Sequence, residues 1–190
     1  MFSSKGASIS WLCDRGDQPG GPGDVAPGEV QTGVFYNLSR VRMADIIDGT
    51  SHTAFFSEKL RGRGVPNDPT DMIMMMNTNS IDQTYDECTQ QDASMAMPLM
   101  HQQRWCWALG EVCCTTYNHV SGPNTRMCAG MGFPGTMTNM AVQVPASSHH
   151  PGGVNLLMGD GAVRFIADNI DLPLWRALGT RNGREPVSAF

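Results

Sequence analysis

The stretch that decides the fold runs from Val154 to Ile166 and reads V-N-L-L-M-G-D-G-A-V-R-F-I. Two short apolar runs, 154–158 and 162–166, are joined by Gly159-Asp160-Gly161. Residues that tolerate positive φ between two apolar runs are typical of an antiparallel hairpin. The sequence therefore predicts a hairpin whose two strands are these runs.

A short helix is predicted directly after the hairpin, over residues 171–179. Asp171 is suited to the N-cap, Pro173 to the first turn, and Gly179 to the position just past the last turn. The apolar side chains of this segment fall on one face and should pack on the sheet; they are Leu174, Trp175 and Leu178. Strands together with this helix predict an α+β fold, with an antiparallel sheet of short strands, long loops and a C-terminal helix.

Length and composition favour one domain. The chain has 190 residues, of which 41% are hydrophobic and only 16% are charged, and its 21 glycines and 12 prolines indicate many turns. The net charge is −5, which argues against a nucleic-acid partner because phosphate contacts need clustered Lys and Arg.

The segments upstream of the hairpin carry weaker patterns. Residues 1–30 are rich in glycine and proline and are predicted to be irregular. Apolar side chains at helical spacing over 43–47 predict one or two helical turns that end at Gly49. Three further ranges predict other structure: a strand over 53–58, two strands over 104–117, and loops over 117–145.

Half of the 14 methionines lie within residues 61–100, which show no clear periodicity. Such a cluster can form a soft contact surface or a copper(I) site, or its side chains can fill an irregular core. No regular methionine repeat supports the metal site, so we favour the core. These residues are Met72, Met74, Met75, Met76, Met95, Met97 and Met100.

Six cysteines, an even number in a chain rich in turns, favour disulfides and an oxidising compartment. Reduced, buried thiols are the alternative. Cys113 and Cys114 are adjacent, and a bond between them would be strained, so we expect them to have different partners or none. The disulfide candidates are Cys13, Cys88, Cys106, Cys113, Cys114 and Cys128.

His150 is followed by nine residues and then by Asp160-Gly161, and Gly152-Gly153 and Asn155 lie between them. In this spacing the chain resembles a large bacterial family of prepilin-like proteins, a domain of unknown function related to type II secretion pseudopilins. Its C-terminal H-x9-D-G signature is associated with prepilin processing. Three upstream segments resemble the same family, so that the resemblance covers roughly residues 33–190; they are 33–36, 39–53 and 117–128.

The resemblance implies a prepilin-like α+β head over 33–190, behind an irregular N-terminal segment 1–32. It also implies an N-terminal membrane helix and a methylated prepilin start. The given chain shows neither an export signal nor the about 20 apolar residues of a membrane helix, so we expect no membrane contact for the chain as given. The implied partners are other pilin-like subunits or secretion-system proteins, with oligomerisation among the expected properties.

His149, His150 and Asp160 form the tightest group of potential metal ligands in the sequence. In a hairpin, the first strand would separate the histidines from Asp160 by roughly 17 Å, so the three could not share one ion. We expect Asp160 to bond turn amides in an Asx-type role, and the His150 segment to shape the start of the strand. Catalysis or metal binding by these residues is the alternative.

The resemblance to pseudopilins further implies that a C-terminal loop could hold Ca²⁺. Oxygen ligands suit this hard cation, although their spacing here matches no EF-hand loop. The candidate ligands are Asp160, Asp168, Asn169 and Asp171. No other cofactor is expected.

No motif in the sequence predicts catalysis. A nucleophile elbow, a P-loop and a dinucleotide fingerprint are all missing from the sequence. Cys106 or Cys128 could act as a nucleophile with His119 as its base, but disulfides are the simpler use of these thiols.

Aromatic side chains offer a binding surface as another possibility. Trp105 and Trp107 are two residues apart and would share one face of a strand. With Tyr117 and His119 they could line a groove for a glycan or a peptide, or the same face could be the core.

We therefore expect a non-enzymatic, extracytoplasmic head domain of a pseudopilin-like protein, located at the cell surface or in the periplasm. It would be a structural or adaptor part of a secretion or pilus-like assembly. Two alternatives stay open. One is a secreted glycan- or peptide-binding module, and the other is a metal-dependent enzyme with His149 or His150 close to a carboxylate.

Overall fold

The structure, a computed structural model, describes residues 2–4, 8–9, 32–35, 39–61, 72–76, 81–91, 98–100, 116–131 and 140–185. The predictions for 10–31 and for most of 104–117 lie outside these ranges. The same holds for eight of the residues singled out above: Cys13, Met95, Met97, Trp105, Cys106, Trp107, Cys113 and Cys114.

Short strands, two α-helices and two 3₁₀ helices make up the described part of the chain. The strands are β1 Phe2–Ser4, β2 Ser8–Ile9, β3 Ala54–Ser57, β4 Met72–Met76, β5 Pro98–Met100, β6 Thr116–Asn118, β7 Met127–Met131, β8 Met140–Gln143, β9 Gly153–Met158 and β10 Val163–Ala167. The α-helices are α1 Ile81–Gln90 and α2 Leu172–Leu178, and the 3₁₀ helices are Met43–Asp45 and Thr50–His52. Neither α-helix combines the length and the apolar character that crossing a bilayer requires.

The strands form three sheets, which are mostly antiparallel. The first has the order β10-β9-β3, the second has the order β2-β8-β7-β4-β5 with β4 and β7 parallel, and the third pairs β1 with β6 in parallel. Helices and mostly antiparallel sheets in one chain confirm the predicted α+β fold.

The predicted C-terminal hairpin is confirmed. β9 and β10 are antiparallel, with Asn155 opposite Phe165 and the turn at 159–162. Alternate residues of β9 are buried, because successive side chains of a strand point to opposite faces. The buried face forms the main core with residues from β3, β6, β10 and α2; its members are Ala54, Tyr117, Ala146, Val154, Leu156, Met158, Ile166, Trp175 and Leu178.

Helix α2 begins and ends where the sequence predicts. The Asp171 side chain accepts a hydrogen bond from the Leu174 backbone N–H at 3.2 Å, which confirms the N-cap. Trp175 and Leu178 are buried in the main core, whereas Leu174 is only half-buried. Gly179 is the C-cap in a right-handed conformation, with φ of −79°.

The second sheet is covered on both faces by sulfur-containing side chains. Met72 and Met127 are buried on one face with Ala129, Val142 and Val144. Ile73 and Met75 are buried on the other face, where Cys88 of α1 is bonded to Cys128 of β7. The burial of Met72 and Met75 supports the core interpretation of the methionine cluster, and one disulfide is confirmed.

Several elements were not predicted. The helix α1 lies in the range without clear periodicity, β7 and β8 lie in a range predicted to be loops, and β1 and β2 lie within the N-terminal segment predicted to be irregular. The helical turn predicted over 43–47 is a 3₁₀ helix at Met43–Asp45, and Gly49, with φ of +93°, leads into the second 3₁₀ helix instead of ending the first. The division of the chain into 1–32 and 33–190 stays a prediction.

The disulfide should contribute strongly to stability. Its cysteines are 40 residues apart, and closing a loop of this length in the unfolded chain corresponds to about 4 kcal/mol. The double variant Cys88→Ala/Cys128→Ala should therefore lose about 3–4 kcal/mol of unfolding free energy in urea titrations. Peptide mapping without reductant should recover Cys88 linked to Cys128, and linkage of either one to a different cysteine would contradict the assignment.

Candidate functional site

The carboxylate of Glu58, the residue directly after β3, holds the start of β9. Its Oε2 accepts a hydrogen bond from the backbone N–H of Asn155 at 3.0 Å, and its Oε1 accepts one from the Asn155 side-chain amide at 3.2 Å. The imidazole Nε2 of His150 lies 3.0 Å from the same Oε1. Two residues of the predicted signature therefore meet on one carboxylate.

This contact completes a strand ladder that the backbone leaves unfinished. β3 pairs with β9 as far as Ser57 opposite Leu156, so Asn155 lies where the ladder between these two strands ends. Glu58 accepts its N–H, and the Ser57 hydroxyl donates to its carbonyl oxygen at 2.8 Å. Buried or half-buried peptide groups need such partners, and here side chains supply both.

The environment of Glu58 favours its charged form. Partial burial raises the pKa of the carboxyl group, but hydrogen bonds from Asn155 and His150, together with the charge of His150, outweigh burial and hold the pKa below its ordinary value. An ionised carboxylate is an acceptor only, which suits three donors converging on it. Because the Glu58 side chain is still 35% exposed, water shares in its solvation.

The remaining signature residues shape the backbone of the hairpin. Asp160 Oδ1 accepts a hydrogen bond from the Ala162 N–H at 2.9 Å, which confirms the predicted Asx-type role. Gly152 and Gly161 have φ of +80° and +88°, a region that favours glycine. A Cβ on Gly153 would collide with the backbone and the aromatic ring of the opposing strand β10.

The loop around Asn124, here named the asparagine loop, lies against the start of the hairpin. Asn124, with φ of +55°, accepts the Ser148 N–H on its Oδ1 at 2.8 Å and donates from its Nδ2 to Asp168 Oδ1 at 2.7 Å. The Ser148 hydroxyl donates to the Gly153 carbonyl oxygen at 2.7 Å. Asn124 of the upstream segment 117–128 therefore contacts both the residues that precede β9 and the residue that follows β10.

A second carboxylate, Asp48, holds the residues that follow α2. Its Oδ2 accepts hydrogen bonds from the Thr180 hydroxyl at 3.0 Å and from the Gly183 N–H at 2.8 Å. Its Oδ1 accepts the Arg184 N–H at 2.7 Å. Asp48 thus accepts backbone N–H groups after the end of α2, as Glu58 does at the start of β9.

Two of the four residues that could have lined a binding groove are part of the core. His119 stacks on Trp175 with ring centroids 4.0 Å apart, its Nδ1 lies 2.7 Å from the Trp175 carbonyl oxygen, and its Nε2 lies 3.3 Å from the Tyr117 hydroxyl. Tyr117 and His119 are fully buried. For these two residues the core interpretation holds and the groove alternative is wrong. Trp105 and Trp107 lie outside the described ranges.

Cys128, the nucleophile candidate within the described ranges, and Ser148, a hydroxyl close to His150 in sequence, are both engaged in structural bonds. Cys128 is in the disulfide with Cys88, so it is not a free thiol that could act with the buried His119. The Ser148 hydroxyl, which lies two residues before His150, donates to a backbone carbonyl and not to the imidazole. The Glu58–His150 pair therefore acts here as a clamp on the backbone.

The hairpin keeps the histidines and Asp160 apart, as predicted. His149 and His150 precede β9, whereas Asp160 lies in the turn beyond its far end. In the part of the chain that the structure describes, no three His, Cys, Asp or Glu side chains are grouped so that they could hold a metal ion. The spacing between His150 and Asp160 therefore spans β9, from before its first residue to beyond its last.

The four candidate calcium ligands are likewise not brought together. Asp160 lies at one end of β10, and Asp168, Asn169 and Asp171 lie beyond the other end. Asp168 is hydrogen-bonded to the asparagine loop, and Asp171 caps α2. Each of these two carboxylates therefore already has a structural role.

Glu58 was missed as a site residue by the sequence analysis. It was included only as the last residue of a predicted strand, and a carboxylate at a strand end is by default a solvated surface group. Its partner Asn155 lies 97 residues away along the chain, so no local pattern connects the two. Asp48 and Asn124 were not identified from the sequence for the same reason, since their hydrogen-bond partners are distant in sequence.

A family model described as "Protein of unknown function (DUF1559)" matches residues 13–173 of the chain. The chain belongs to this family. The region that the DUF1559 model matches contains the whole hairpin and the residues from His150 to Gly161. No curated protein and no solved structure shows a significant match to the chain.

The first prediction from this site concerns the clamp itself. Glu58→Ala should lower the unfolding free energy by about 1–3 kcal/mol, because the Asn155 N–H loses its acceptor. His150→Ala should cost less than about 1 kcal/mol, since this half-exposed pair is screened by water. Urea titrations would measure both, with Glu87→Ala on α1 as a matched control expected within about 0.5 kcal/mol of the parent. Equal, small losses for Glu58→Ala and Glu87→Ala would contradict the clamp.

The second prediction concerns pH. A carboxyl group whose pKa is lower in the folded state stabilises the protein above its unfolded pKa, and this stabilisation is lost as the pH falls through the folded pKa. The stability difference between the parent and Glu58→Gln should therefore be full at neutral pH and shrink below about pH 4.5. Urea titrations across this range would measure it. A difference that stays constant down to the acid limit would show that the charge of Glu58 is not what matters.

Proposed function

We propose that this DUF1559 chain is the non-enzymatic head domain of a pseudopilin-like protein, acting outside the cytoplasm as a structural or adaptor part of a secretion or pilus-like assembly. The observation that carries the proposal is the use of the signature. His150 and Asn155 bond to Glu58, and Asp160 bonds to a turn amide. Because these polar groups are engaged in building the hairpin, they support a structural role better than a reactive one.

The proposed location rests on the disulfide. Cys88 and Cys128 are both fully buried and bonded to each other. Disulfides of this structural kind persist in oxidising compartments and are rare where cellular thiols keep cysteines reduced. This supports a location at the cell surface or in the periplasm.

The proposed partners are other pilin-like subunits or proteins of a secretion system. The net charge of −5 favours protein partners over nucleic acid, which needs a basic surface. No cofactor is part of the proposal, and calcium is its one candidate ion. In this role the domain acts through the shape and polarity of its surface.

The proposed location and partners can be tested in the host cell. The gene would be expressed from its own locus with a C-terminal tag, and protease would be added to intact cells and to cells with a permeabilised outer membrane. We expect the tagged head to be degraded in both samples if it lies at the cell surface, and only in the permeabilised sample if it lies in the periplasm, while a cytoplasmic marker survives in both. Cross-linking of intact cells followed by mass spectrometry should recover pilin-like or secretion-system proteins.

Two results would contradict the proposal. Protection of the head together with the cytoplasmic marker in both samples would place the protein in the wrong compartment. Stoichiometric zinc in the purified protein, lost together with a hydrolytic activity on chelation, would favour the metal-dependent enzyme instead.

A further inference from the structure

The residues that follow α2 include the one Asn-Gly pair of the sequence, Asn182-Gly183. Asparagine is among the chemically least stable residues, and a following glycine accelerates its loss, because the glycine nitrogen has no neighbouring Cβ that would hinder its approach. Asn182 and Gly183 are both exposed, so water reaches the pair. This position therefore has both the residues and the water that deamidation requires.

Asp48 holds the nitrogen that this reaction needs. Its Oδ2 accepts the Gly183 N–H at 2.8 Å, and its Oδ1 accepts the next N–H, that of Arg184, at 2.7 Å. On the other side of Asn182, the Arg181 carbonyl oxygen accepts the backbone N–H of Asp48 at 3.1 Å. The residue between these contacts is therefore held from both sides.

We propose that Asn182 is a deamidation site whose reaction is held back by Asp48. In deamidation, the Gly183 nitrogen forms a bond to the side-chain carbonyl carbon of Asn182, and the bond from that carbon to the side-chain nitrogen breaks. The side-chain nitrogen leaves as ammonia, which takes up the proton that Gly183 loses. Water then opens the resulting cyclic imide and leaves either an aspartate or an isoaspartate at position 182.

Asp48 opposes the first step in two ways. The attacking nitrogen has to lose its proton, and the negative charge left on the peptide would lie next to the negative carboxylate, which raises the energy of the step. The peptide between Asn182 and Gly183 also has to turn so that its nitrogen meets the side chain, and its hydrogen bond to Asp48 has to break first. Hydrogen bonds to a charged group favour the closed arrangement enough to slow a reaction of the open one at least about tenfold.

Deamidation would undo the contacts that restrain it. In the isoaspartate product the main chain runs through the side-chain carbon and is longer by one carbon atom, which displaces the N–H groups of Gly183 and Arg184 from Asp48. Both products also place a new carboxylate close to Asp48, and like charges repel. The Thr180 hydroxyl, which bonds to Asp48 as well, connects this change to the end of α2. The site therefore links a slow chemical change to release of the residues after α2, independently of the function proposed above.

Incubation of the purified full chain at neutral pH, followed by peptide mapping, tests the proposal. The digest needs a protease that does not cut at arginine, because Arg181 and Arg184 flank the site. Asp48→Ala should convert Asn182 to aspartate and isoaspartate at least about tenfold faster than the parent protein does, since its Gly183 N–H has lost the carboxylate acceptor. Asn182→Gln should give neither product at this position.

Glu58→Ala is the matched control. It removes another carboxylate that accepts a backbone N–H and should lower the global stability, but it leaves the contacts of Asp48 in place. Its Asn182 should therefore deamidate at the rate of the parent protein. Urea titrations would check that both variants are folded under the conditions of the incubation.

The parent protein alone supplies a second measurement, which decides the matter even if Asp48→Ala does not fold. In guanidinium chloride, where the contacts of Asp48 are lost, Asn182 should deamidate at least about tenfold faster than in the native protein. Equal rates in the native and the unfolded parent would overturn the proposal. So would equal acceleration in Glu58→Ala and Asp48→Ala, because global unfolding and not Asp48 would then control the reaction.

Discussion

The hydrogen bonds between the Glu58 carboxylate and the peptide and side chain of Asn155 determine how the C-terminal hairpin joins the rest of the fold. β3 stops pairing with β9 at Ser57, and one more peptide group of β9 needs partners at that point. β3 itself ends at Ser57, so Glu58 reaches Asn155 with its side chain. The carboxylate and the Ser57 hydroxyl replace the missing peptide group. Strand pairing can end there without leaving a half-buried N–H unsatisfied, which would cost about 1–3 kcal/mol.

This arrangement explains the spacing between His150 and Asp160-Gly161. His150 has to lie before β9 to reach Glu58, and Asp160 has to lie after β9 to close the turn. The nine intervening residues hold the glycine turn at Gly152, a six-residue strand and one turn residue. A pattern that includes a histidine and an aspartate at fixed spacing looks like a pair of metal ligands. In this fold the spacing is the number of residues needed to span β9 and reach its turn.

How much of the fold could be predicted depends on how local its causes are. The hairpin, the Asp171 cap and the burial of Trp175 follow from residues that are neighbours in sequence, and all three are confirmed. The helix α1 was not predicted because its buried side chains are Thr84 and Cys88, so the sequence has no apolar stripe of helical period there.

The site was harder to predict than the fold because its bonds are long-range. Glu58 meets Asn155 across 97 residues, and Asp48 meets Arg184 across 136. A carboxylate gives no local sign of the donor that it will accept from. The sequence could indicate local contacts, such as the hydrogen bond of Asp160 within its own turn. It could not indicate which distant carboxylate accepts from the hairpin.

One register sets both the core and the exposed edge of the hairpin. The alternation that buries Ile166 also exposes Phe165, and the same alternation directs the odd-numbered peptide groups of β10 outward. A slip of one residue would exchange the two faces and place the phenylalanine in the core. Glu58 opposes such a slip, because its carboxylate fits the outward-pointing N–H and the side-chain amide of Asn155 together. The clamp therefore controls which side chains of the hairpin face the core and which face solvent, although it does not itself lie on the exposed edge of β10.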